Sequence, residues 1–211
     1  MRDADVESIE RATVQAVAPG HVDTLPGWLL PMDNGTVGRA RSAVPLSHAA
    51  PHPDDLTAIA ARYRERGFEP AFRLPDIPTF DATAQALHAA GLHRQQPTLT
   101  QTAAVSDLLA LPGGMGTKLL AQPDAGWAAM FIGEGLDPVD GASRSAALAR
   151  ARHSRYASLR VADETRACGM ACFAHGWLGV HGMRTAAAQR GRGLAGALVQ
   201  AMAQQAVRQG I

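Results

Sequence analysis

The chain has 211 residues, 46% of them apolar, 18% charged and 5% aromatic, with a formal net charge of +1. This is too apolar for intrinsic disorder, too interrupted by charge and glycine for a membrane span, and too balanced for a general nucleic-acid binder. Two cysteines cannot build a disulfide framework, and Met1-Arg2-Asp3-Ala4-Asp5 is not a basic-then-apolar leader, so a cytoplasmic protein without nucleic-acid or membrane partners is expected.

The first periodic segment places Val6, Ile9, Thr13 and Val17 at helical spacing, and Pro19-Gly20 ends it. Apolar runs over 27–32 and 36–44 flank Asp33-Asn34-Gly35, which predicts a hairpin because Asn-Gly tolerates positive φ at both turn positions. Asp54 is expected to cap a helix carrying Leu56, Ile59, Ala60 and Tyr63, stopped by Gly67. Pro70 to Pro75 reads as a short strand. Thr79 opens a further helix with Phe80, Ala84 and Leu87 on one face, closed by Gly91, and Gln95 to Val105 alternates weakly, as a strand pair would.

Leu111-Pro112-Gly113-Gly114-Met115-Gly116 reads as a linker between a domain over 1–112 and another over 117–211. In the second, a strand over 117–122 precedes a helix with Trp127, Met130 and Phe131 and a helix over 143–153. Strands over 156–162, 167–174 and 177–185 come next, and a loop of small residues leads into a helix over 194–207. The fold class is therefore α/β in the α+β sense, a mixed and mostly antiparallel sheet flanked by helices. The element order of the halves suggests a tandem of one plan.

From Thr165 to Ile211 the chain carries Arg166, Arg184, Arg190, Arg192 and Arg208 and no Asp or Glu. Within this acid-free stretch, Met183 to Gly196 runs from a strand through a glycine-bearing loop into a helix. Glycine lets backbone approach a ligand, and the first amides of a helix lack internal partners, so the segment is suited to an anion. Gly191-Arg192-Gly193-Leu194-Ala195-Gly196 matches G-x-G-x-x-G formally. The dinucleotide reading fails, because a parallel βαβ unit and an acidic residue about 20 positions on are both missing.

Arg190-x-x-Gly193-x-Ala195 resembles the [Q/R]-x-x-G-x-[G/A] loop of the GNAT superfamily of acyl-CoA N-acyltransferases. The resemblance extends over about 117–211, in the order strand, two helices, three antiparallel strands, loop, helix. It implies acetyl-CoA as cosubstrate and no metal. Arg190, Gly191, Arg192, Gly193 and Ala195 would hold the pyrophosphate, and backbone groups of Met183, Arg184 and Thr185 would meet the pantetheine and the thioester carbonyl. The acceptor would be a small-molecule or peptide amine attacking directly.

No carboxylate lies on the strand where some relatives carry their base. His181 and His175 are the nearest titratable groups, with Glu134 and Asp137 before them, and a strand histidine is more often structural. No catalytic residue is assigned. The family's fifth strand and its remaining elements would begin where the sequence stops at Gly210-Ile211. The fourth strand is thus expected to form an edge that the first half or a second copy in a homodimer would cover. The first half resembles a degenerate GNAT domain without the loop. The alternative function is a non-catalytic acyl-CoA-binding or protein-interaction module.

Other features read as structural. Cys168 and Cys172 share one strand face and are expected to be buried and inert. His48 and His52 lie in a Pro-rich connector. Gly113 to Lys118 lacks the G-K-[ST] order of a phosphate loop. Arg62, Arg64 and Arg66 with Glu65 form a solvated helix face, and the three tryptophans serve packing.

Overall fold

Pro26-Gly27 is the first strong turn in the structure, a computed structural model that describes residues 2–114, 116–133 and 135–211. Gly27 takes φ 78, as the third residue of a type II turn requires, and proline supplies the residue before it. This turn joins β1 (His21–Leu25) to β2 (Trp28–Met32) with Leu25 opposite Trp28. On its other side β2 pairs antiparallel with β3 (Val44–Pro45), giving a three-stranded sheet in the order β1-β2-β3.

Strand β2 is buried at every residue, so the apolar run over 28–32 is a central strand, not one arm of an Asn-Gly hairpin. The expected arm over 36–44 does not form. Among the described residues with positive φ, neither Asn34 nor Gly35 appears, and Gly38–Ala40 is a single 3-10 turn. Of that arm only Val44 pairs with β2, as part of β3, and β1 takes the opposite side of β2.

The chain clusters into two compact units. The first comprises 2–14, 19–34 and 38–101, and the second comprises 15–18, 35–37 and 102–211. In the first, most of α1 (Asp3–Val17), up to Val14, precedes the small sheet and α2 (Pro53–Glu65) comes after it. The cap of α2 is His52, not Asp54: its Nδ1 accepts from the Asp54 N–H, and the Asp55 carboxylate accepts from the His52 N–H at 3.0 Å. Pro53 fits the first helical position because an N–H there would have no partner. Tyr63 and Ile59 are fully buried against Trp28, Leu30 and Met32, and the Tyr63 hydroxyl donates to Pro31 O at 2.8 Å. Arg62 pairs with Asp23 at 3.2 Å, so the basic face of α2 is tied to β1.

Residues 70–75 form no strand. Phe72 makes one isolated parallel bridge to Ala43, and prolines at both ends leave too few donors for a ladder. The helix expected after Thr79 is α3 (Asp81–Ala89), preceded by a 3-10 turn over Pro78–Phe80 and lacking a side-chain cap. Residues 92–104 hold no regular structure, and Val105 begins α4 (Val105–Leu109) instead of ending a strand pair.

The division between units falls at 101/102, ahead of the Pro-Gly-Gly stretch. The glycines of that stretch pack closely: a Cβ on Gly114 would lie 2.7 Å from the Ala197 Cβ, and one on Gly113 3.1 Å from the Gln200 side chain. From α4 onward the second unit runs β4 (Thr117–Leu120), α5 (Ala125–Ala129), α6 (Pro138–Ala149), β5 (Ser154–Val161), β6 (Glu164–Ala174), β7 (Trp177–Thr185) and α7 (Leu194–Arg208). Its four strands pair antiparallel in the order β4-β5-β6-β7, with β7 at one edge. The observed class is the expected one, mixed α and β with mostly antiparallel sheets and flanking helices.

Strand alternation sorts β6 onto two faces. Ala167, Ala171 and Phe173 pack with Ala157 and Leu159 against Ala197, Leu198, Met202 and Ala206 of α7. The small alanines let α7 lie close, and burying Leu198 and Met202 completely contributes about 1.5–3 kcal/mol each. The other face carries Cys168, whose thiol lies 3.9 Å from the Trp127 carbonyl oxygen. The Trp127 indole donates to Gly169 O at 2.9 Å and meets Tyr156 edge-on at 5.3 Å. No helix among the described residues is long and apolar enough to cross a membrane.

Candidate anion-binding site at the end of β7

Strand β7 is irregular where the site begins. Cys168 pairs with Arg184 and Met170 with His181, so two steps along β6 face three along β7. The extra residue is a β-bulge next to Gly182, whose φ of 60 favours glycine. A side chain there would also meet obstruction, since a Cβ would lie 2.5 Å from Leu148 Cδ1 and 3.1 Å from Phe131 Cζ. Across from the bulge, the Met183 sulfur fills the place a Cβ on Gly169 would take, with Met202 Cε 3.1 Å from that point. Glycines inside two strand patterns were the sequence signal for this feature.

Beyond the bulge the ladder resumes. Ala186 N–H donates to Arg166 O at 2.9 Å, so the even-numbered residues turn their polar backbone toward β6. Met183 and Thr185 therefore direct theirs to the open side, while Arg184 pairs with Cys168. The Thr185 carbonyl accepts from the Arg190 Nε at 3.4 Å, which folds that guanidinium back toward the strand.

A 3-10 turn over Ala187–Gln189 leads to Gly191 and Gly193, with φ of 74 and 76. Gly193 is the N-cap of α7 and supplies no side-chain cap. Backbone bonds run from Arg190 N–H to Ala187 O and from Ala197 N–H to Gly193 O. Among the described residues, the amides from Gly191 to Gly196 have no protein acceptor. Nothing lies within 4 Å of a Cβ built on Gly191, Gly193 or Gly196. Arg190, Gly191, Arg192, Gly193 and Ala195 are exposed. Free amides at the start of a 15-residue helix, two glycines in the left-handed region and two exposed cations fit a phosphate-bearing ligand.

The other candidates fall elsewhere. His175 and Gly176 form the two-residue turn between β6 and β7, with φ of 51 and 79, at the end of β7 remote from the loop. His175 is thus a turn residue, in a conformation that two-residue hairpin turns require. His181 is buried beside the bulge, and its Nε2 would be 2.6 Å from a Cβ on Gly179. Asp137 caps α6, accepting from Asp140 N–H at 2.8 Å, and Glu134 lies outside the described residues. Among the described residues no group of three His, Cys, Asp or Glu side chains is placed to hold a metal ion.

Burial pushes the Cys168 thiol up to about 12 and raises that of Cys172. Neither thiol is expected to react with iodoacetamide in folded protein at pH 8; both should react after unfolding, as mass spectrometry would record. Because the unfolded thiols ionise first, at about pH 9, this contribution is complete below that pH and is lost as pH rises towards 12. Stability in urea is therefore expected to decline above pH 9.

A family model described as "Probable histone acetyltransferase Rv0428c C-terminal" matches residues 3–211. No curated protein and no solved structure matches the chain.

Proposed function

The chain belongs to the family of the C-terminal domain of the probable histone acetyltransferase Rv0428c, an acetyltransferase-related family, and from that premise we propose that it is a GNAT-type N-acetyltransferase moving an acetyl group from acetyl-CoA to a primary amine. The observation that carries the reading is the row of unpartnered amides from Gly191 to Gly196 beside Arg190 and Arg192. The order strand, two helices, three antiparallel strands, loop and helix agrees with it.

Acetyl-CoA supplies an activated acyl group as a thioester. The amides of 191–196 and the two guanidiniums would bind its diphosphate, where charge-assisted hydrogen bonds contribute about 1.5–3 kcal/mol each. The outward backbone of Met183 and Thr185 would receive the pantetheine arm along the strand edge, and an N–H there would polarise the thioester carbonyl. The acceptor is a small-molecule or peptide amine, and the family's name favours a protein amine. We place the enzyme in the cytoplasm, with a homodimer compatible with the open edge of β7.

One observation favours a binding module over an enzyme: β7 carries no Asp or Glu. The discriminating experiment incubates the protein with acetyl-CoA and a mixture of amines, including histone-tail peptides, and monitors thiol release. Amine-dependent release above the rate of hydrolysis supports transfer. Saturable coenzyme A binding with no release for any amine assigns the chain to the binding-module reading.

A further inference from the structure

We propose that Arg184, seated on Phe131, is a subsite for an oxyanion carried by the amine acceptor. This rests on the acetyl-transfer reading and adds to it what the acceptor must carry besides its amine.

The Arg184 guanidinium lies 5.2 Å above the Phe131 ring, on the sheet face opposite α7. Phe131 is itself held rigidly, tilted against Trp127 at 4.7 Å and packed at Gly182. A cation within about 6 Å of a ring centroid is attracted to the ring face, which favours keeping the guanidinium over Phe131. Its donors are under-used. The only hydrogen bond of the side chain among the described residues runs from Nη1 to the neighbouring Met183 carbonyl, at 3.3 Å. The Nε is buried and has no partner. No carboxylate among the described residues pairs with Arg184 within 4.0 Å. Asp140, whose carboxyl is held below its usual range first by Arg144 and only lastly by Arg184, is already bonded by Arg144 at 2.6 Å. A planar cation with spare donors, held against an aromatic ring, matches a carboxylate or phosphate.

Two further features make this a subsite instead of a packed surface arginine. Arg184 comes directly after Met183, whose backbone faces the edge assigned to the thioester, so an anion on Arg184 is near the reacting amine. In addition, three exposed large apolar side chains among the described residues fall between the end of α5 and the first turn of α6. They are Ile132 at 53%, Leu136 at 39% and Val139 at 74% exposure. Ile132 borders Phe131 through Gly141, where a Cβ would be 3.2 Å from Ile132 Cγ2. Ile132, adjacent to the ring on which Arg184 rests, would offer aliphatic surface to the stem between amine and oxyanion.

The test uses the full chain with coenzyme A present and three matched probes: L-lysine, L-lysinamide and phosphoethanolamine. The Arg184 Nε–H NMR signal, assigned by its loss in Arg184→Lys, should shift saturably with L-lysine or phosphoethanolamine and not with L-lysinamide. Which anion shifts it more identifies carboxylate or phosphate as the source. In thiol-release assays the anionic acceptor should exceed its neutral counterpart at least tenfold in kcat/KM, mainly through KM, and Arg184→Gln should reduce that ratio to near one.

Equal shifts with the amide, no shift with either anion, or a preference that survives Arg184→Gln would each overturn the subsite. A selective shift without thiol release from any probe would sustain the subsite and count against acetyl transfer. Robust release without anion preference would do the reverse.

Discussion

Exchanging both Arg190 and Arg192 for glutamate is expected to weaken coenzyme A binding about 100-fold or more, and Arg190→Glu alone at least tenfold, without loss of the fold. Each guanidinium offers a charge-assisted hydrogen bond of about 1.5–3 kcal/mol, and about 1.4 kcal/mol corresponds to tenfold in affinity. Reversing the sign adds repulsion to the loss. Both residues are exposed and precede the first residue of α7, so neither contributes to the core under that helix. Calorimetric titration of coenzyme A into each variant checks the affinity, and a urea titration checks the fold. The penalty should shrink with added salt, because the loop is open to solvent and a Debye length is about 8 Å at physiological ionic strength. Unaltered affinity in the double variant would remove the diphosphate from this loop.

Trp127→Ala is expected to be the most destabilising single change in the second unit, by about 3–5 kcal/mol. Trp127 is fully buried, contacts Phe131 at 4.7 Å and Tyr156 at 5.3 Å, and bonds Gly169 O at 2.9 Å. Its removal leaves a cavity and frees Phe131, on which Arg184 rests. Trp127→Phe separates the two contributions, keeping most of the apolar surface and losing the indole N–H; a cost of about 1–3 kcal/mol is expected. Urea unfolding monitored by circular dichroism measures both. A change below about 1 kcal/mol in the alanine variant would mean that the α5 face of the sheet does not depend on this packing.

The second unit was legible in the sequence because its signals were local and repeated. The strand-like runs over 156–162, 167–174 and 177–185 and a helical period from Leu194 onward each point to one element, and the elements agree in order. The loop was legible for a related reason. Gly191 and Gly193 announce the positive φ they adopt, and the missing carboxylates from Thr165 onward leave the arginines unopposed.

The first unit was less legible because two turn signals competed. Asn34-Gly35 satisfies the local rule for a hairpin as well as Pro26-Gly27 does. The choice fell to Pro26-Gly27 because His21–Leu25 alternates and can cover one edge of a wholly buried β2. Similarly, Pro70 to Pro75 has strand-like residues but prolines where a ladder needs donors, and only the bridge from Ala43 to Phe72 remains.

By itself, then, the amino-acid order determined the class of fold, the elements from β4 to α7 and the anion-seeking turn before α7, since these rest on periodicity, backbone freedom and charge along a short stretch. Tertiary structure decided the register slip beside Gly182 and the face on which Arg184 meets Phe131. Each depends on which residues lie opposite one another across β6 and β7, and a one-residue shift in that pairing moves a side chain to the other face of the sheet.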